Sequence, residues 1–270
     1  MKIKHSTVIL STVLLLILPL VLFILFWLNL FWALLISSFL VYLLKDFIPY
    51  IRKAFTENLE IKPLIAILAS ILILSWIIYG GIGKIGYQNF DYVKHNSIYF
   101  DLMNTSWPVQ TQFENQPYYL VYYFAYYLVP ATFGKLIGTY PALEIVSILQ
   151  AFLGLGLLFC IISILANKKN LFWISLLFIF WGGLDVFGNL IFQQEYSKTF
   201  GEFPEWWAGA SHFQYTGFTD LLYWVPQHAM GGWLSTALCL LFLKNQKYIV
   251  IPFIVALSLA WSPFVCIGLL

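Results

Sequence analysis

The sequence predicts an all-α protein: a polytopic membrane helical bundle of about seven spans, with one further helix lying on or dipping into the outer surface. Two observations predict it. Of 270 residues, 61% are hydrophobic and only 10% are charged. Soluble chains carry about 25% charged residues, so one water-facing fold cannot bury this much apolar surface and part of the solvent must be lipid. The apolar residues also fall into runs of about 18 or more, the length that crosses a hydrocarbon core as helix. Lipid then demands that the backbone polar groups pair within each segment.

The same composition excludes other classes. A formal net charge of +2 with no basic run argues against a nucleic-acid partner. Cys160, Cys239 and Cys266 lie in apolar segments, lack zinc-ligand spacing and are odd in number, so neither a zinc site nor a disulfide framework is expected.

Lys2 and Lys4 precede an apolar stretch from Ser6 to Leu44. A signal-peptide core is about 7–15 residues long, so this stretch reads as an uncleaved helical hairpin. Asn29 is its natural turn, between Trp27 and Trp32 at interface depth. Further apolar runs cover 63–79, 118–137, 141–166, 171–192, 223–243 and 247–269.

Orientation follows from Lys and Arg. If 118–137 does not span, ten of the fourteen basic residues fall inside, among them Lys45, Arg52, Lys53, Lys62, Lys168, Lys169, Lys244 and Lys247. The stretch PYYLVYYFAYYLVP also has the tyrosine content of an interface helix. The expectation is therefore one integral membrane domain over 1–270, a multi-pass protein of the plasma membrane with a cytoplasmic N-terminus. Its first extracytoplasmic loop is 80–117, its juxtamembrane helix 118–137 and its second extracytoplasmic loop 193–222. The chain ends at Leu270 directly after an apolar run, as the N-terminal fragment of a longer protein would.

Candidate chemistry gathers on the outer side. In a helix starting near Asn89, Asp91 and His95 are four apart and share a face, with Lys94 on the same side. A carboxylate, an imidazole and an ammonium within one turn can hold a hydroxyl acceptor, a cation or a phosphate. They also suit a solvated helix start, where Asp91 favours the dipole. Asp101 and Glu114 follow in the same loop. The glycines of 80–86 lack the spacing of a phosphate loop. The second loop is long and aromatic, and its rings suit either sugar stacking or headgroup anchoring. It contributes His212. Asp185, within a span beside Gly182 and Gly183, is a functional acid or a paired structural one. His228 stands at the outer start of the next span, two residues after Pro226, which suits a first helical turn.

The order NFDYVKHN, DLMNTSWPV, FENQPYYLVYYFAYYL and FGKLIG resembles the GT-C superfamily of integral membrane glycosyltransferases over about residues 80–166. The tyrosine-rich helix is also similar to uncharacterised membrane families of that fold. Tyr92 follows Asp91 where many members have a second acid, and Gln116-Pro117 replaces a basic-proline pair. The resemblance implies a GT-C-like fold and a polyprenyl-phosphate-linked sugar as donor substrate. It implies Asp91 as general base, taking the proton of an acceptor hydroxyl as the lipid phosphate leaves with inversion. Lys94, His95, Asp101, Glu114, Asp185, His212 and His228 are then the candidates for binding substrate or phosphate. Some members of the superfamily use Mg²⁺ or Mn²⁺, which Asp91 and Glu114 would hold. Two other readings stay open: a transporter or lipid flippase with Asp185 in its path, and a non-catalytic subunit that keeps the fold.

Overall fold

The computed structural model describes residues 1–167, 170–182 and 216–270. Helices α1 (His5–Trp27) and α2 (Leu30–Ala54) form the N-terminal hairpin. Asn29 caps α2: its Oδ1 accepts the Trp32 N–H at 3.1 Å, satisfying one of the donors that every helix start leaves free. Helix α2 continues past Leu44 through Pro49 to Ala54. Pro63 opens α3 (Pro63–Tyr79), where its missing N–H and fixed φ suit the first turn. Helix α6 (Tyr140–Ala166) is the longest among the described residues. Helices α1, α2 and α6, of 23, 25 and 27 residues, are long and apolar enough to cross a bilayer. Pro63–Tyr79 and Tyr248–Trp261 are shorter apolar helical segments.

One end of the bundle is marked by a small ribbon. Strand β1 (Lys2–Lys4) pairs antiparallel with β2 (Asn58–Glu60), Ile3 opposite Leu59, with Lys2 and Glu60 in a 3.0 Å ion pair. Asn170, which precedes α7 (Leu171–Ile179), lines an open cavity with Met1, Lys2 and Lys62. The other helix ends that meet here bring more basic residues. Lys244, the last residue of the helix Pro226–Lys244, donates to the Leu165 carbonyl at 2.6 Å. The Phe55 and Phe242 rings lie 5.9 Å apart. Since α3 leaves this end and α6 returns to it, the intervening chain makes no net crossing of the bundle.

That intervening chain differs in detail from expectation. Helix α4 (Asp91–Asn104) leads into a hairpin of β3 (Gln110–Phe113) and β4 (Gln116–Tyr119), and only then into α5 (Ala125–Ile137). The helix expected over 118–137 thus begins at Ala125. Residues 118 and 119 are claimed by the hairpin, whose two turn residues Glu114 and Asn115 take φ of 49° and 61°, the left-handed pair that a two-residue turn of matching twist requires. Helix α5 is buried in its first half and exposed in its last turn, at Phe133, Lys135, Leu136 and Ile137. Its first turns bury Tyr126, Tyr127, Leu128 and Ala131 against α1, α4 and α6. Gly138, at φ 80°, then closes α5 and turns the chain directly into α6.

The last two apolar runs are each broken by a proline. Helix α8 (Phe218–Trp224) stops at Val225, and Pro226 opens α9 (Pro226–Lys244). A short 3₁₀ turn leads to α10 (Ile251–Trp261), and Pro263 opens α11 (Pro263–Leu269). Ser262 caps this break by accepting the Val265 N–H at 3.4 Å. The core lies where α1, α6, α9 and α10 converge. Trp261 is fully buried there and donates through Nε1 to the Leu16 carbonyl at 3.1 Å. Gly231 is what lets α9 approach it: a Cβ at that position would stand 2.5 Å from the Trp261 Cβ.

Candidate functional site

The start of α4 is built by Asn89. Its Oδ1 accepts the Asp91 N–H at 3.0 Å, a local side-chain turn that sets the first helical donor. Its Nδ2 donates to the Tyr223 carbonyl at 2.9 Å, so the same side chain anchors α4 to α8. The buried Tyr92 hydroxyl adds a second anchor, donating to the Gly80 carbonyl at 2.7 Å. Burial pushes its pKa far up, so it remains a donor.

Asp91 and Lys94 then meet as the three-residue spacing implies. Lys94 Nζ lies 2.9 Å from Asp91 Oδ2, with both side chains partly exposed at 41% and 28%. Burial opposes the lysine's charge. The hydrogen bond and charge of Asp91, together with the Tyr122 hydroxyl, outweigh it and hold the ammonium above its usual pKa.

His95 faces the other way. It is 2% exposed, its Nδ1 2.5 Å from the Tyr127 hydroxyl and its Nε2 3.1 Å from the Trp224 carbonyl. A carbonyl can only accept, so the partners assign the proton to Nε2 and leave Nδ1 to accept from Tyr127. Burial pushes the imidazole pKa down to about 4, against the Trp224 carbonyl, which favours the charged ring. At neutral pH His95 therefore carries no charge for a phosphate, and both its nitrogens are engaged. It ties α4 to α5 and α8.

Lys94 instead acquires neighbours from distant elements. Tyr122, in the segment before α5, reaches it and also receives the Gln227 Nε2 at 3.4 Å. Gln227 is fully buried in the first turn of α9, and its Oε1 has no hydrogen-bond partner among the described residues. Next to it, His228 Nδ1 lies 2.7 Å from the Ser262 hydroxyl at the α10–α11 break. The Tyr123 ring stands edge-on to His228 at 4.6 Å. The His95 ring is close enough to feel the charges of Lys94, Asp91 and His228. The structure thus gathers Asp91, Lys94 and His228 around Tyr122, Tyr123, Gln227 and Ser262. These last four were not singled out from sequence. The one available signal was Gln227-His228, a polar pair at the start of an apolar run.

The remaining candidates stand elsewhere. Asp101 is ten residues further along α4, about 15 Å along the axis from Asp91 and roughly 80° around it. Glu114 is exposed at the hairpin turn, reached from the opposite end of α4. Asp185 and His212, like Lys168, Lys169 and most of the loop 193–222, lie outside the described residues.

A divalent cation does not fit Asp91 as it stands. Mg²⁺ and Mn²⁺ require several oxygen ligands, whereas the Asp91 carboxylate faces an ammonium at 2.9 Å whose charge opposes a second cation. Among the described residues no three His, Cys, Asp or Glu side chains converge on one point. What the arrangement does offer is a carboxylate to accept a proton, an ammonium to meet an anion, the Tyr122 hydroxyl at that ammonium, and the Gln227 amide behind it. Comparison of the chain with protein-family models, curated proteins and solved structures gives no match. The functional reading therefore rests on this geometry.

Proposed function

We propose that the protein is an integral membrane glycosyltransferase of GT-C type. In this reading it moves a sugar from a polyprenyl-phosphate-linked donor to an acceptor hydroxyl at the Asp91–Lys94 pair. The observation that carries the reading is the pair itself: a proton acceptor and an anion-binding cation 2.9 Å apart, partly exposed, at the start of a helix packed into an apolar bundle. The membrane setting is supported by the three helices long and apolar enough to span. The meeting of Met1, Lys2, Lys62, Asn170 and Lys244 at one end supports a cytoplasmic assignment for that end. The Asp91 pair then faces the extracytoplasmic side.

The chemistry follows from charge balance. The phosphate of the incoming donor competes for Lys94 and draws its ammonium away from Asp91. The freed carboxylate takes the proton of the acceptor hydroxyl while that oxygen attacks the anomeric carbon. The bond from the anomeric carbon to the phosphate oxygen breaks, its electron pair leaves with the phosphate, and the sugar inverts. Lys94 neutralises the charge that develops on the leaving group. His228, which feels the charge of Lys94, and the Tyr123 ring beside it are suited to orient the sugar.

The decisive experiment is transfer of labelled sugar from a panel of polyprenyl-phosphate donors in membranes carrying wild type or Asp91→Asn. Transfer that depends on Asp91 establishes the enzyme and its base. Absence of transfer from every donor, with the protein confirmed in the membrane, removes this reading and favours a non-catalytic subunit or a transporter.

A further inference from the structure

The opposite, basic end of the bundle carries a second feature that sugar transfer does not use. An open groove of about 570 Å³ runs along α1 and the end of α2. Lys4, Arg52 and Thr56 stand at its basic end, and along α1 it is lined first by Ser6 and Thr7, then by Leu10 and Ser11, and last by Leu14. None of the lining residues is acidic. Lys4 and Arg52 form no ion pair among the described residues, unlike Lys2 and Glu60 nearby. Thr7, Leu10, Ser11 and Leu14 recur at the spacing that keeps them on one face of α1. Leu14 is 63% exposed.

We propose that this groove binds the headgroup of an anionic phospholipid. From Lys4 to Leu14 the lining passes from charged through mixed hydroxyl and apolar to apolar, the same gradient as in such a lipid. The two cations meet the phosphodiester, the hydroxyls meet the glycerol and ester oxygens, and the leucines take the first part of an acyl chain. The scale agrees as well: Lys4 to Leu14 is ten residues, about 15 Å of helix, which reaches from the phosphate level well into one leaflet. A free phosphate would use only the mouth and leave the apolar part of the groove without a role. The site asks only that α1 and α2 stand in a bilayer, and it is independent of the chemistry at Asp91.

Native mass spectrometry of the full chain released from detergent tests this, with phosphatidylglycerol, phosphatidylcholine and inorganic phosphate as separate probes. Phosphatidylglycerol is expected to be retained in preference to phosphatidylcholine. Lys4→Gln combined with Arg52→Gln is expected to weaken that retention roughly thirty-fold, as the loss of two cations at a lipid phosphate implies. Leu14→Trp, on an exposed position that leaves the packing of α1 alone, is expected to weaken it by filling the groove. Equal retention of the two lipids, or retention unchanged in both variants, would overturn the proposal. Full displacement of phosphatidylglycerol by millimolar inorganic phosphate would overturn the lipid as the source of the anion.

Discussion

The Tyr127 hydroxyl donates to Nδ1 of His95 across 2.5 Å, joining two buried side chains 32 residues apart. With the Trp224 carbonyl on Nε2, it makes His95 a neutral cross-link between three helices. The titratable face of α4 is thereby reduced to Asp91 and Lys94.

Acid should break this cross-link. The His95 pKa is about 4 in the folded protein against 6.5 for a free imidazole. Its contribution is complete above pH 6.5 and is lost as the pH falls toward 4, where the buried ring must charge. The loss amounts to about 3 kcal/mol. Thermal unfolding of wild type and His95→Gln across pH 4–7 checks this: the difference in stability between them should shrink on acidification. A constant difference would refute it.

Tyr127→Phe removes only the donor to Nδ1. The expected cost is about 1–3 kcal/mol, the penalty for leaving a buried acceptor without its partner. Sugar transfer should persist in this variant, because the hydroxyl serves packing. Loss of transfer at unchanged stability would move Tyr127 into the site.

Asp91→Asn and Lys94→Gln should separate the two roles in the proposed reaction. The first is expected to abolish transfer while lipid-linked sugar still binds. The second should raise the donor KM as well as lower kcat, since the ammonium meets the phosphate both before and during bond cleavage. Steady-state kinetics with varied donor distinguishes them. A Lys94→Gln enzyme with the wild-type KM would contradict phosphate recognition by Lys94.

Gly231→Ala should destabilise the bundle by about 1–3 kcal/mol. Its new methyl would meet the buried Trp261 side chain at 2.5 Å, and Trp261 is held in place by its bond to the Leu16 carbonyl. The midpoint of thermal unfolding in detergent reads this directly. Gly156→Ala in α6, where an added Cβ meets nothing within 4 Å, is the control and should leave stability unchanged or raise it.

The common end of Met1, Lys62 and Asn170 predicts a labelling pattern. Single cysteines at Lys62 and Asn170, in a background without native cysteines, should react with an impermeant maleimide from the same side of the membrane. A cysteine at Glu114 should react from the other. Labelling of Asn170 from the side of Glu114 would overturn both the orientation and the location of the proposed site.

Much of this protein is local and so can be read from its sequence. The bounds of α3 and α6 follow from apolar runs. Asn29, Pro63 and Pro226 mark helix starts because capping and proline geometry act within a few residues. The Asp91–Lys94 pair follows from a three-residue spacing on one helix. Only tertiary structure decided the rest. His95 has the same helical proximity to Asp91 as Lys94, yet its partners come from residues 32 and 129 positions away, and burial among them sets its charge. Tyr122, Gln227 and Ser262 enter the site because α5, α9 and α10 converge there. The run 118–137 divides into strand and helix because its first residues find hairpin partners. Helical periodicity can assign a side chain to a face, but what that face meets is set by the packing of distant segments.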